Sequence, residues 1–144
     1  MGAVSREQIE ALAERLRRAE ETGAPCGPIR DHLPEGDVEA AYAVQRANTE
    51  FWTKQGRRLV GRKIGLTAKA VQRQLGVDQP DFGMLLADRT VGDGEEIDPG
   101  LVMQPRVEAE IALIIERDLT VERPTVADVM RATAFAVPAI EVVS

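Results

Sequence analysis

A long strand-like segment, residues 104–115, carries two carboxylates on one face. Side chains at positions i and i+2 of a strand point the same way, so Glu108 and Glu110 share a face. That face continues as Ala112 and Ile114, while the opposite face is apolar throughout. Strands that are covered on both sides carry such apolar runs. We therefore expect both faces to be covered and the two carboxylates to be partly buried.

A third carboxylate, Glu141, lies in a second apolar strand-like run near the end of the chain. Partly buried carboxylates need a compensating cation, because an unpaired charge is costly to remove from water. Where all ligands are oxygens, a hard divalent ion such as Mg²⁺ or Mn²⁺ is preferred. The sequence thus indicates a divalent-metal site made by Glu108, Glu110 and Glu141.

The alternative for the first two carboxylates is a solvated strand edge. In that arrangement Glu108 and Glu110 face water and pair with Arg106 or Arg117, as exposed carboxylates commonly do. The spacing of these residues is compatible with both interpretations.

Composition narrows the class of partner. The 144 residues are enough for one domain with a real core, and the net charge of −6 argues against nucleic acid, which needs a basic surface. A small-molecule partner is expected instead.

The single cysteine, Cys26, excludes an internal disulfide, and the single histidine, His32, argues against a Cys/His zinc site within one chain. The sequence has no membrane-spanning run and its opening has no signal-peptide core, so we expect a cytoplasmic protein.

The first part of the chain reads as two amphipathic helices. Ser5 and Gln8 form a capping-box pattern, and Gly23 ends the first helix. Asp37 caps the second helix, which ends at Gly56.

The rest of the chain alternates strands with short helices and turns: a strand at 58–64, a helix at 68–75 capped by Thr67, a turn-rich loop at 78–83, a helix at 126–132 capped by Thr125, and a strand at 134–143. This order predicts an α+β fold, with a helical region at 1–56 and a β-rich region at 57–144.

The last strand-like run reaches almost to Ser144, the final residue. A sheet normally continues beyond such a strand, because its apolar residues and its edge need neighbours. We therefore expect a truncated domain, or an edge that another subunit covers.

Two further residues are candidates for acid/base chemistry. Lys63 stands between Gly61 and Gly65 on an apolar strand, where low-dielectric surroundings tune a lysine and glycines let a ligand approach. The segment does not fit a Walker phosphate loop, since its lysine comes too early. Asp81 follows a proline in the turn-rich loop. The alternatives are a lysine that extends to solvent at a sheet edge and an aspartate that stabilises an Asx turn.

Four segments, in chain order, are GRKIGLT at 61–67, QLGVDQPDFG at 74–83, QPRVEAEIA at 104–112 and PAIEVV at 138–143. Taken together, they resemble the hydratase/decarboxylase family of the fumarylacetoacetate hydrolase superfamily, which includes the 2-keto-4-pentenoate hydratases. The resemblance runs from the second helix onward, yet the chain is little more than half as long as a typical member. It implies a β-rich fumarylacetoacetate-hydrolase-like fold after the helices, truncated at its carboxyl end.

The resemblance implies that Glu108, Glu110 and Glu141 are the metal ligands and that Lys63 and Asp81 are the active-site lysine and aspartate. By the resemblance, the C1 carboxylate and C2 oxygen of 2-hydroxypenta-2,4-dienoate would chelate the ion. Water would then add at C4 to give 4-hydroxy-2-oxopentanoate in meta-cleavage aromatic catabolism. Which of the two residues is the acid stays open. The alternatives are a decarboxylase of the 4-oxalocrotonate type, and a non-catalytic fragment or partner subunit. A homo-oligomer is expected.

Overall fold

The computed structural model describes residues 4–143 and confirms the α+β class. The predictions made for the opening at Met1 and for the end at Ser144 concern residues outside this range. The helices are α1 (Arg6–Thr22), α2 (Val38–Lys54), α3 (Lys69–Leu75) and α4 (Val126–Ala132). The strands are β1 (Leu59–Gly65), β2 (Asp81–Leu86), β3 (Arg106–Ile115) and β4 (Thr133–Val143). None of the described helices is long and apolar enough to cross a membrane.

The described chain divides into two compact units, Met1–Leu101 and Val102–Ser144. The first contains α1 to α3 and the antiparallel β1–β2 hairpin, and the second contains α4 and the antiparallel β3–β4 pair. The predicted division into 1–56 and 57–144 stays a prediction.

Local capping chemistry sets both ends of α1 and the start of α2 as predicted, whereas α2 ends at Lys54 with Gln55 as its C-cap, one residue before the predicted Gly56. The Ser5 side chain accepts from the Gln8 amide and the Gln8 side chain accepts from the Ser5 amide, which completes the capping box. Gly23 ends α1 with a left-handed φ of 65°, a conformation that costs glycine little. The Asp37 carboxylate accepts from the Ala40 amide at the start of α2.

The core of the first unit lies between α1 and α2. It is built from Leu12, Ala13 and Val44, which are 5%, 0% and 1% exposed. Burial of each large apolar side chain contributes about 1.5–3 kcal/mol, so this small cluster holds the helix pair together. Buried Asn48 is satisfied by Arg17, whose Nη1 donates to Oδ1 at 2.7 Å across the same interface.

The β1–β2 hairpin corrects two sequence predictions. Residues 81–83, predicted as loop, begin strand β2, because Asp81 pairs with Gly65 and Gly83 pairs with Lys63 across the hairpin. Pairing with a distant strand supplies the ladder that the local turn-rich sequence does not indicate. Thr67 does not cap α3; Ala68 is the N-cap and makes no side-chain hydrogen bond, while Gly76 closes the helix as predicted.

The second unit is organised by a long antiparallel pairing of β3 with β4. The α4 helix that precedes β4 has the predicted Thr125 cap, completed by Asp128 as a capping box. Hydrogen bonds from the Thr125 hydroxyl and amide stabilise the Asp128 carboxylate and lower its pKa below the usual value.

The expected burial of both faces of β3 is wrong for the described residues. Glu108 and Glu110 are exposed, and on the opposite face Ile111 is 74% exposed, as is its neighbour Ile140 on β4 at 71%. An apolar run indicates a surface suited to burial, but it does not indicate which atoms will cover it. The described part of the chain does not provide that cover.

We expect the 144-residue chain to self-associate when it is produced by itself. A two-stranded sheet with an apolar exposed face is only marginally stable in water, and association removes that face from solvent. Sedimentation velocity at several concentrations, with hydrogen exchange across residues 135–143, measures this. Replacing Ile111 and Ile140 together by serine should reduce the association. A concentration-independent monomer with a well-protected β4 would contradict the expectation.

Candidate metal centre and acid/base pair

The β3–β4 register brings the three predicted metal ligands together. Glu108 lies directly opposite Glu141, and Glu110 follows two residues along β3 on the same face. One carboxylate oxygen from each residue lies within 4.8 Å of the others. Glu108 and Glu110 are exposed and Glu141 is half-buried. The cluster therefore opens to solvent from a defined strand face.

The donor set fits a hard divalent cation. Oxygens bound to one Mg²⁺ at about 2.1 Å lie roughly 3–4 Å apart, and those around the larger Ca²⁺ lie further apart, so a spread of up to 4.8 Å needs little adjustment. Three like charges at these distances repel one another, and a divalent ion removes that repulsion. Arg117, one of the alternative partners, lies 3.8 Å from Glu116 in its described ion pair.

Lys63 and Asp81 come together on one face of the β1–β2 hairpin. Lys63 pairs with Gly83 and Gly65 pairs with Asp81, so the two side chains stand diagonally on the same face. Each side chain extends over the glycine opposite it. A Cβ added at Gly83 would lie 2.7 Å from Lys63 Cγ, and a Cβ added at Gly65 would overlap Asp81 Oδ1. The two glycines therefore leave room for the lysine and the aspartate side chains to lie across the opposite strand.

The backbone that follows Gly65 is held in an unusual conformation. Leu66 has a φ of 55°, which is uncommon for a residue other than glycine. Its carbonyl accepts from Nε2 of Gln72, a side chain only 2% exposed, and Lys69 Nζ donates to Gln72 Oε1 at 2.9 Å. These bonds fix the turn from β1 into α3, and with it the end of the strand that carries Lys63.

Sequence reasoning predicted the lysine and the aspartate as site residues, gave Gly61 and Gly65 the role of letting a ligand approach, and assigned no role to Gly83. The register that places Gly83 opposite Lys63 could have been found only if residues 81–83 had been recognised as a strand. It also missed Tyr42 and Gln45, which contact the Phe82 backbone from α2. Tyr42 and Gln45 lie three residues apart, which is ordinary spacing for a helix, so no sequence pattern singles them out. The acid/base pair belongs to the first compact unit and the carboxylate cluster to the second.

A scan against models of known protein families gives no match. The chain is nevertheless 60% identical over 134 residues to 2-keto-4-pentenoate hydratase 2 of Dechloromonas aromatica (strain RCB), covering 93% of this chain and 51% of that protein. It is 56% identical over 135 residues to 2-keto-4-pentenoate hydratase of Burkholderia vietnamiensis (strain G4 / LMG 22486), covering 94% and 52%. The chain thus spans about half the length of the curated relatives it matches.

Among solved structures, 4-oxalocrotonate decarboxylase from Pseudomonas putida G7, complexed with magnesium and adipate, superimposes with a TM-score of 0.89. The sequences are 32% identical, and the match covers 99% of this chain and 54% of the decarboxylase. Almost the whole length of this chain therefore follows the backbone of about half of a metal-complexed enzyme.

Proposed function

We propose that this chain belongs to the hydratase/decarboxylase family that includes 2-keto-4-pentenoate hydratase, and that the protein is a metal-dependent hydratase. The reaction is the addition of water to 2-hydroxypenta-2,4-dienoate to give 4-hydroxy-2-oxopentanoate in aromatic catabolism. The single observation that carries the proposal is the high identity to named hydratases along nearly the whole chain. The whole fold is proposed to be fumarylacetoacetate-hydrolase-like.

The proposed metal ligands are Glu108, Glu110 and Glu141, and the proposed ion is Mg²⁺ or Mn²⁺. Support comes from the proximity of their oxygens and from the magnesium in the structurally similar decarboxylase. When bound, such an ion supplies positive charge beside substrate oxygens on which negative charge develops. The cross-strand pairing of Glu108 with Glu141 keeps these ligands in register on one face of the hairpin.

Lys63 and Asp81 are proposed to move protons. The hydration needs a proton delivered at one end of the conjugated system and a proton removed from water at the other, which calls for two titratable groups. An amine and a carboxylate that extend over the same hairpin face supply such a pair. Which of them is the acid is not assigned.

The remaining expectations form part of the same proposal. The substrate is a small 2-oxo or 2-hydroxydienoic acid, and the protein is a homo-oligomer in which other chain segments cover the exposed β3–β4 faces. The cytoplasm is the proposed location.

A decarboxylase acting on a 2-oxo dicarboxylate is the second candidate. It is favoured by one observation, the close superposition on 4-oxalocrotonate decarboxylase. The identity to that enzyme is lower than the identity to the hydratases, so hydration is the leading proposal.

The test compares both reactions in the full-length protein. With Mg²⁺ or Mn²⁺ present, we expect turnover of 2-hydroxypenta-2,4-dienoate, which is measured as the loss of its ultraviolet absorbance. We expect little release of CO₂ from 4-oxalocrotonate. Removal of the ion by a chelator should abolish the hydration. The reverse preference would establish the decarboxylase, and no activity on either acid would support a non-catalytic protein.

Replacing Gly65 by alanine should lower this turnover by about 10²-fold, because the new methyl overlaps Asp81 Oδ1 and displaces the carboxylate. Mn²⁺ binding should not change. Gly61→Ala is the matched control on the same strand, since its added Cβ meets only the flexible Leu85 side chain, at 3.3 Å. Equal effects from the two alanines would show that Asp81 needs no such space.

A further inference from the structure

Phe82, the residue that follows Asp81, is hydrogen-bonded through its main chain to helix α2. The Phe82 amide donates to the Tyr42 hydroxyl at 3.1 Å, and the Phe82 carbonyl accepts from Gln45 Nε2 at 2.9 Å. The Tyr42 hydroxyl and the Gln45 side-chain amide both belong to α2. The main-chain N–H and C=O of one strand residue point to the same side. Phe82 therefore directs both groups away from β1 and toward α2, and its pairing with Ile64 is of the non-hydrogen-bonded kind.

Tyr42 and Gln45 are three residues apart, so they occupy one face of the helix. Both side chains are half-buried. Together they satisfy the main-chain N–H and C=O of Phe82 on a strand edge that has no further strand beside it among the described residues of the first unit. We name this arrangement the α2 clasp: the side chains of Tyr42 and Gln45 bound to the backbone of Phe82.

The clasp lies at the end of the β1–β2 pair where both strands carry a glycine. Asp81 is the first residue of β2, and the two glycines that give the acid/base pair its room, Gly65 and Gly83, also lower the backbone rigidity on both strands. A flexible strand end would let the Asp81 carboxylate wander relative to Lys63. Two hydrogen bonds to the next residue restrict that movement.

We propose that Tyr42 and Gln45 are positioning residues that fix the Asp81 carboxylate against Lys63 for the acid/base step. The proposal rests on the proposed hydratase function. Neither residue is assigned to contact the substrate. They act through the Phe82 backbone, which is covalently joined to Asp81 on one side and to Gly83, the partner of Lys63, on the other.

The experiment uses Tyr42→Phe, Gln45→Met and their combination in the full-length protein with Mn²⁺. Loss of one hydrogen bond should raise the hydrogen-exchange rate of the Phe82 amide in Tyr42→Phe by roughly 3- to 10-fold. The double variant should lose about 10- to 100-fold in kcat, since a small misplacement of a catalytic group is costly, while KM and Mn²⁺ affinity stay within about threefold. A general structural defect would instead change all of these quantities together.

Thr53→Val is the matched control for Tyr42→Phe. It also removes a hydroxyl from α2, but among the described residues that hydroxyl bonds to carbonyls of its own helix, those of Thr49 and Glu50. We expect parental kcat and parental Phe82 exchange in this variant. Faster Phe82 exchange in Tyr42→Phe with unchanged kcat in the double variant would overturn the proposal and leave the clasp a purely structural feature.

A readout without substrate separates this proposal from the hydratase proposal. The carboxyl ¹³C resonance of Asp81, observed by selective labelling, should shift in both clasp variants and not in Thr53→Val. If the parent has no hydratase activity but the resonance shifts, the proposed function fails and the positioning of Asp81 stands. If the resonance does not shift, the positioning proposal fails whatever the activity.

Discussion

Glu110→Gln is expected to weaken Mn²⁺ binding by at least about tenfold. Loss of a group that merely supports a ligand commonly costs about 10- to 100-fold in metal affinity, and loss of a charged ligand should cost no less. Glutamine keeps the size of the side chain and one carbonyl oxygen, so the change isolates the charge. Because Glu110, Glu108 and Glu141 hold their oxygens within 4.8 Å, the remaining pair has less negative charge to offset desolvation of the ion.

Titration of Mn²⁺ into the full-length protein, followed by the electron paramagnetic resonance signal of free Mn²⁺, measures the affinity directly. Glu122→Gln is the matched control: it removes an exposed carboxylate from the same compact unit but outside the cluster. Its affinity should equal that of the parent. Unchanged affinity in Glu110→Gln would remove this residue from the metal site and return the two β3 carboxylates to the solvated-edge interpretation.

Helix ends were the most predictable part of the fold, because a cap is a contact between residues three apart. Ser5 with Gln8 and Thr125 with Asp128 both form the reciprocal hydrogen bonds that define a capping box. Glycine at the left-handed positions Gly23 and Gly76 is equally local. At these places, a few neighbouring side chains decide the backbone conformation.

The start of β2 could not be predicted in the same way. Residues 78–83 have the composition of a turn, and only pairing with β1 makes a strand of 81–83. That pairing depends on residues almost twenty positions earlier in the chain. The consequence reaches the proposed site, since the roles of Gly65 and Gly83 exist only across the hairpin.

The carboxylate cluster shows both the strength and the limit of strand periodicity. The two-residue period placed Glu108 and Glu110 on one face, as found. Placement of Glu141 beside them depends on the β3–β4 register, and a slip of one residue would send it to the opposite face. The same periodicity led to the wrong expectation of burial, because it describes which residues share a face and not what lies against that face.

The two proposed functional groups are built by one device. In each, an antiparallel pair brings together charged side chains that are distant in sequence, Glu108 with Glu141 in one hairpin and Lys63 with Asp81 in the other. Directly opposite residues such as Glu108 and Glu141 have Cβ atoms about 5 Å apart, close enough to share an ion, whereas diagonal residues such as Lys63 and Asp81 are about 7–8 Å apart, within reach of a long side chain. A mutation in either hairpin should therefore affect its own function, metal binding or proton transfer, and leave the other largely intact.

Lys63→Met tests that separation and is expected to reduce turnover by about 10²- to 10⁴-fold, the usual contribution of a general acid or base. Methionine keeps an unbranched side chain over Gly83 but cannot carry a proton. The metal ligands are untouched, so Mn²⁺ affinity should remain at the parental value. The full-length protein is assayed for 2-hydroxypenta-2,4-dienoate turnover and for Mn²⁺ binding in parallel.

Lys54→Met is the matched control, because it removes a lysine at the end of α2 whose side chain is 79% exposed and lies 3.8 Å from Glu50 in an ordinary surface ion pair. Its turnover and metal affinity should both be parental. Turnover of Lys63→Met within a few-fold of the parent would transfer the proton-moving role to Asp81, and Asp81→Asn would then have to carry the full loss. A loss of Mn²⁺ binding in Lys63→Met would contradict the separation itself, since a residue that acts only on the substrate leaves the ion's carboxylate ligands as they were.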